Sequence, residues 1–155
     1  MAKLIILVGL LSAGATVVAL AQSPSIAYTP QQIIAARQAS YEMSVMSFAS
    51  MKQAMKDGGL AKKQGFAAEG LAKWAKVLPT LFPVGTGKGE TAMETQARPE
   101  IWSDRAGFEK AAANYIAATE KLSALAQAND TPAFTTQLGE VKHACDSCHD
   151  SYKER

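Results

Sequence analysis

Apolar residues recur at helical spacing in four stretches of the chain, and residues that stop a helix close each stretch. The first begins at Thr29-Pro30-Gln31-Gln32, where a threonine cap, a proline in the first turn and a glutamine three positions after the cap make a capping box. It is predicted to run to about Lys56 and to end at Asp57-Gly58-Gly59. At 100° per residue, Ile34, Val45, Phe48 and Met55 fall within about 40° of Tyr41 and form one apolar stripe, with Met43 and Met46 on the other side. A second stretch, about Leu60 to Leu78, carries Phe66, Leu71, Trp74 and Leu78 and stops before Pro79.

Periodicity is then lost from Pro79 to Ser103, a connection punctuated by Pro83, Gly85, Gly87, Gly89 and Pro99. At that length it is expected to cross the molecule or to serve a site. The third stretch, about Asp104 to Ala128 with Ser103 as N-cap, sets Phe108, Tyr115, Leu122 and Leu125 among many alanines. After Asn129-Asp130-Thr131-Pro132 comes the fourth, in which Phe134, Leu138, Val141, Cys145, Cys148 and Tyr152 step alternately by four and three. Both cysteines therefore lie on the buried stripe. Two short connections around one long one predict an all-α fold, an antiparallel four-helix bundle.

Composition agrees: 7% aromatic residues and six methionines in an alanine-rich chain suit helix packing better than a sheet. With 155 residues the chain holds one globular domain, and 16 Lys+Arg against 14 Asp+Glu leave no concentrated positive field for nucleic acid. At the N-terminus, Met1-Ala2-Lys3 precedes an uncharged run from Leu4 to Ala21 that could be taken for a membrane span of marginal length. The flanks argue for export instead. One lysine, a Leu/Ile/Val core, the small-x-small Ala19-Leu20-Ala21 and polar Gln22-Ser23-Pro24-Ser25 predict a signal peptide over 1–21 and a mature domain over 22–155. No membrane span remains after that cut, and the expected compartment is the periplasm.

An oxidising compartment makes a disulfide the default for two cysteines, but Cys145 and Cys148 are three residues apart on a helix and would close only a tiny loop. The stretch Cys145-Asp146-Ser147-Cys148-His149 has instead the C-x-x-C-H spacing of haem c attachment, two thiols to bond the macrocycle and an imidazole to ligate iron. At i, i+3 and i+4 all three project from one helix face. A thioredoxin-like site would need a neighbouring strand pattern that is absent. Structural zinc would need His143 as fourth ligand, about 120° around the helix from His149.

The C-terminal C-x-x-C-H-D-x-[FY], the phrase Arg98-Pro99-Glu100-Ile101-Trp102, the stretch Leu78-Pro79-Thr80-Leu81-Phe82-Pro83 and the early Arg37-Gln38 together resemble the cytochrome c′ family of class II bacterial cytochromes. The resemblance runs from about Thr29 to Arg155. It implies one covalent haem c near the C-terminal helix, His149 as the proximal iron ligand, and commonly a homodimer. It also implies that Arg37 and Gln38 approach the haem propionates and that the long middle loop brings Glu94 and Thr95 to the haem edge. Tyr41, four residues after the arginine, takes the family's distal position. Relatives with methionine there form a six-coordinate low-spin centre, whereas a bulky non-ligating residue leaves the sixth site open. Lys153 departs from the family, which usually has arginine there, so proximal hydrogen bonding by that side chain is not carried over.

The function expected from these residues is that of an exported haem protein, not an enzyme, that transfers electrons to periplasmic redox partners and binds NO or CO. The alternative is a low-spin electron shuttle with methionine as sixth ligand, for which Met43 and Met46 are the available thioethers although both face away from Tyr41. A peroxidase-like enzyme would need a second histidine, arginine or carboxylate on the distal face. Lys52, Lys56, Lys73, Lys76, Lys142 and Lys153 could form a basic docking edge, though solvated faces account for them as well. The side of the first helix carrying Met43 and Met46 is the expected dimer surface.

Overall fold

A computed structural model describes residues 28–154. The expected cleavage after Ala21 lies outside the described residues. Four long helices, α1 (Pro30–Lys56), α2 (Gly65–Val77), α4 (Arg105–Gln127) and α5 (Thr131–Tyr152), are joined by a short α3 (Glu100–Ser103) and by two tighter turns, Ala61–Gln64 and Leu78–Leu81. The capping box at α1 forms as expected. Gln32 N donates to Thr29 Oγ1 at 3.2 Å and Thr29 N to Gln32 Oε1 at 2.9 Å. Asp57 closes the helix and Gly58, at φ +75°, takes the left-handed turn that a side chain would strain.

Each helix packs on its two neighbours in a ring, α1 against α2 and α5, and α4 against α2 and α5. Adjacent helices run antiparallel. At one end Ala61 N reaches Thr131 Oγ1 and Lys62 N reaches Asn129 Oδ1, both at 3.1 Å. At the other end an Arg105 guanidinium nitrogen donates to Pro79 O at 3.2 Å. The core runs along the axis through Met51, Leu71, Phe108, Leu122, Phe134 and Val141, all buried. Burial of each such side chain stabilises the fold by about 1.5–3 kcal/mol, so these layers outweigh the exposed i,i+4 ion pairs on the helix surfaces.

Some expectations need correction. The long connection does not cross the molecule, because Pro79 and Arg105 sit at the same end and the loop folds back over it. Phe66 is 93% exposed, and the reason is angular: it lies about 140° from Leu71 around α2, whose buried side is Ala68, Leu71, Ala72 and Ala75. Val45 is also outward, 64% exposed. Asp104, not Ser103, caps α4, since Glu100–Ser103 forms its own turn and the chain breaks at Asp104. Asp104 Oδ1 accepts from Gly107 N at 3.2 Å while its Oδ2 accepts from the Tyr152 hydroxyl at 2.8 Å, tying the start of α4 to the end of α5. A Cβ on Gly107 would fall onto both of those groups, so glycine is what lets Tyr152 approach.

Candidate functional site

The folded-back loop and the C-terminal end of α5 meet at the same end of the bundle. Arg98 N donates to Tyr152 O at 3.1 Å and Glu154 N to Gln96 O at 2.9 Å, so the loop is stitched to the end of the helix that carries the cysteines. Beneath it, edge-to-face rings run from Trp102 to Phe82 to Phe108 to Tyr152, with centroid separations of 6.4, 5.0 and 5.4 Å.

Between the four helices near this end lies a cavity of about 220 Å³. Its wall includes Tyr41, Val45 and Phe48 from α1, Leu71 from α2, Tyr115 from α4, and Val141, Cys145, Cys148 and His149 from α5. The family resemblance implied that Tyr41 and the pentapeptide share one site, and all of Tyr41, Cys145, Cys148 and His149 line this cavity. Val45, exposed to solvent, still lines this cavity, which explains an apolar residue at that point of the stripe.

Cys145 and Cys148 are unpaired thiols, both partly buried. Burial, with Asp146 adding to it, pushes the Cys145 thiol up to about 11, and burial raises Cys148 too. Thiols held protonated are poor partners for reversible disulfide exchange. His149 is shifted the opposite way, below its ordinary value, first by burial and then by the Lys153 charge. A neutral imidazole is the form that ligates a metal. Burial likewise raises the phenols of Tyr41 and Tyr115, so both stay protonated at neutral pH. Two thiols and one neutral imidazole facing an apolar cavity form a donor set that fits a c-type haem.

One helical turn before Tyr41, a second cluster forms. Arg37 is 2% exposed, and its terminal nitrogens donate to Leu81 O at 3.2 Å, Thr86 Oγ1 at 3.3 Å, Thr86 O at 3.0 Å and Thr95 Oγ1 at 2.9 Å. Its guanidinium also stacks 4.3 Å from the Phe82 ring centroid. Gln38 stays exposed and donates from Nε2 to Glu94 O at 2.8 Å. Arg37, Gln38, Glu94 and Thr95 are thus brought together, but none of them lines the cavity. Met43 and Met46 do not line it either; they are 71% and 72% exposed.

Two participants had no signal in the sequence. Thr86, wholly buried, shapes the Arg37 cluster from 49 positions away. Tyr115 was legible as a core residue of its helix, yet nothing in its spacing tied it to the cysteines.

A family model described as Cytochrome C′ matches residues 32–153. Cytochrome c′ of Rubrivivax gelatinosus is 35% identical over 129 residues, covering 81% of this chain and 97% of the relative. Among solved structures, a cytochrome c′ with an unusual ligand-controlled dimer dissociation superposes with a TM-score of 0.78 at 27% identity, covering 83% of this chain and 99% of the other. The nitric oxide complex of a mutant cytochrome c prime from Alcaligenes xylosoxidans superposes with a TM-score of 0.73 at 29% identity, over 82% and 97% of the two chains. The match extends over nearly all of the bundle and includes its cysteine-bearing end, so the chain belongs to the cytochrome c′ family, electron-transfer proteins that carry covalently bound haem c.

Proposed function

We propose that this protein is a periplasmic electron carrier whose haem iron is five-coordinate and binds NO or CO. Cys145 and Cys148 hold the macrocycle through thioethers, and the His149 imidazole is the single protein ligand to iron. Bound haem supplies a reversible one-electron couple and a coordination site for small ligands. The chain's own residues decide what reaches that site. Apart from His149, the cavity wall has no methionine or histidine among the described residues, and this observation carries the reading. Tyr41 lines the cavity with its phenol kept protonated by burial, which supports reading it as a steric cover on the distal side and not as a ligand. The alternative with a methionine ligand has no support from geometry, since Met43 and Met46 point to solvent. No guanidinium or carboxylate lines the cavity among the described residues, so the proposal assigns no enzymatic turnover.

Arg37, Gln38, Glu94 and Thr95 cluster one turn of α1 before Tyr41, outside the cavity wall, and the reading assigns the haem carboxylates to that side, where Arg37 and Gln38 would have to share donors now held by the loop. Lys73, Lys76 and Lys142 pair with Glu69, Glu120 and Asp146, which leaves little net positive edge on that part of the surface for a redox partner. No helix among the described residues is long and apolar enough to cross a membrane.

Optical spectra of the protein purified from the periplasmic fraction, ferric and dithionite-reduced, with and without CO and NO, test the reading. The expected result is a chain beginning at Gln22 with a high-spin ferrous spectrum that shifts with either gas. A low-spin spectrum unmoved by both gases would mean a sixth protein ligand and end it.

We also assign the exposed methionines of α1 to contact with a second copy of the chain. Large apolar side chains left in water are costly, and Met43, Met46 and Phe66 on α1 and α2 are among the most exposed. Glutamate at both methionines is expected to convert the sedimentation coefficient from dimer to monomer. A variant that still sediments as a dimer would remove this face from the interface.

A further inference from the structure

A helix end frays unless something holds it, and the last turn of α5 begins at His149. This turn is held from two sides. Lys153 N closes the helix on His149 O at 3.2 Å, Arg98 N from the loop donates to Tyr152 O at 3.1 Å, and Ala97 and Lys153 pair as an isolated antiparallel bridge. From α4 the hold is made by side chains. The Tyr152 hydroxyl donates to Asp104 Oδ2 at 2.8 Å, Asp104 Oδ1 accepts from Gly107 N at 3.2 Å, and the Tyr152 ring stands edge-to-face on the buried Phe108. Burial and then the bond to Asp104 push that phenol up to about 12, so it remains a donor at neutral pH. One carboxylate thus serves the first turn of α4 and the last turn of α5 together. The contact exists only because residue 107 is glycine, where a Cβ would meet both the Asp104 carboxylate and the Tyr152 hydroxyl. Tyr152 lies three positions after His149, so a single helical turn connects this latch to the imidazole.

We infer that Asp104 and Tyr152 are positioning residues for His149: their hydrogen bond, for which Gly107 leaves the room, fixes the last turn of α5 and with it the orientation of the imidazole toward iron. The inference rests on the reading that His149 is the iron ligand. A loose turn lets the ring take several tilts, and the potential of a bound haem depends on how its axial ligand is held. Two substitutions reach the latch by separate routes. Tyr152→Phe keeps the ring on Phe108 and removes the donor, whereas Gly107→Ala keeps both partners and fills the space in which they meet.

The test compares the haem-loaded parent with Tyr152→Phe, Gly107→Ala and the double variant. Thr131→Val is the control, since it loses one hydrogen bond, from Ala61 N, at the opposite end of the bundle. In Tyr152→Phe, amide exchange over the last turn of α5 is expected to quicken about tenfold or more, as fits the loss of one hydrogen bond to a carboxylate. The ferrous iron–imidazole stretching band is expected to broaden and fall in frequency, and the reduction potential to shift in the same direction in both single variants. The double variant should add little to either, because both substitutions remove one contact. Thr131→Val should leave band and potential at the parent's values. If Tyr152→Phe and Gly107→Ala lower the urea midpoint but leave band and potential unchanged, the pair only holds the bundle together and the inference fails. Equal changes in Thr131→Val would overturn it as well, since general loosening would then account for them. A parent without an iron–imidazole band in the ferrous state ends the five-coordinate reading, and the potentials of the variants still decide the inference.

Discussion

Exchanging Cys145 and Cys148 together for serine is expected to yield a chain with no covalent haem and with sharply reduced resistance to urea. A serine hydroxyl cannot form the thioether, so the first effect is all or none. The second follows from the size of the space. About 220 Å³ of cavity lined by Val45, Phe48, Leu71, Leu78 and Val141 loses its contacts when nothing is held there. At about 24 cal/mol per Å³ the loss is up to about 5 kcal/mol, an upper limit because the wall is open to solvent on the Val45 side. Domains of this kind are stable by only about 5–15 kcal/mol, so much of the margin goes with the haem. A haem-stained denaturing gel and a urea titration read the two effects. Covalent haem in the double variant would remove both cysteines from the attachment, and a urea midpoint equal to the parent's would mean that the bundle packs fully without it.

What could be read in advance was what is written locally. The ends of α1 are specified by Thr29 to Gln32 and by Asp57 to Gly59, each within a few positions, and they formed where expected. The pentapeptide is local too, and the 4-3-4-3-4 stepping of α5 put Cys145 and Cys148 on the buried side before any partner was known. Tertiary geometry was less legible. The return of the middle loop depends on contacts such as Arg37 to Thr86, 49 residues apart, for which no short pattern exists. The resemblance alone implied that Glu94 and Thr95 approach the haem edge; their contacts with Gln38 and Arg37 of α1 are long-range and had no signal of their own. Tyr115 reaches the cavity only because α4 packs between α2 and α5, which its own apolar stripe does not encode.

Arg37→Lys is expected to destabilise the protein by about 2–4 kcal/mol and to loosen the loop over residues 82–99. The charge is kept, so the cost of burying a cation remains; burial already pulls the guanidinium below its ordinary value. What is lost is the fork. Arg37 spans Leu81, Thr86 and Thr95 at once, and a lysine ammonium is a point donor that cannot reach all three while lying flat on Phe82. Hydrogen bonds from a charged donor contribute about 1.5–3 kcal/mol each, and the loss of one or two sets the magnitude. Urea midpoints give the stability, and amide exchange across the loop gives its location. A cycle with Thr95→Val should be non-additive, since that hydroxyl accepts from the same guanidinium. If stability and exchange are unchanged while the reduction potential moves, Arg37 acts on the haem carboxylates and the loop is held by its other contacts, with Trp102 to Phe82 and Pro83 foremost.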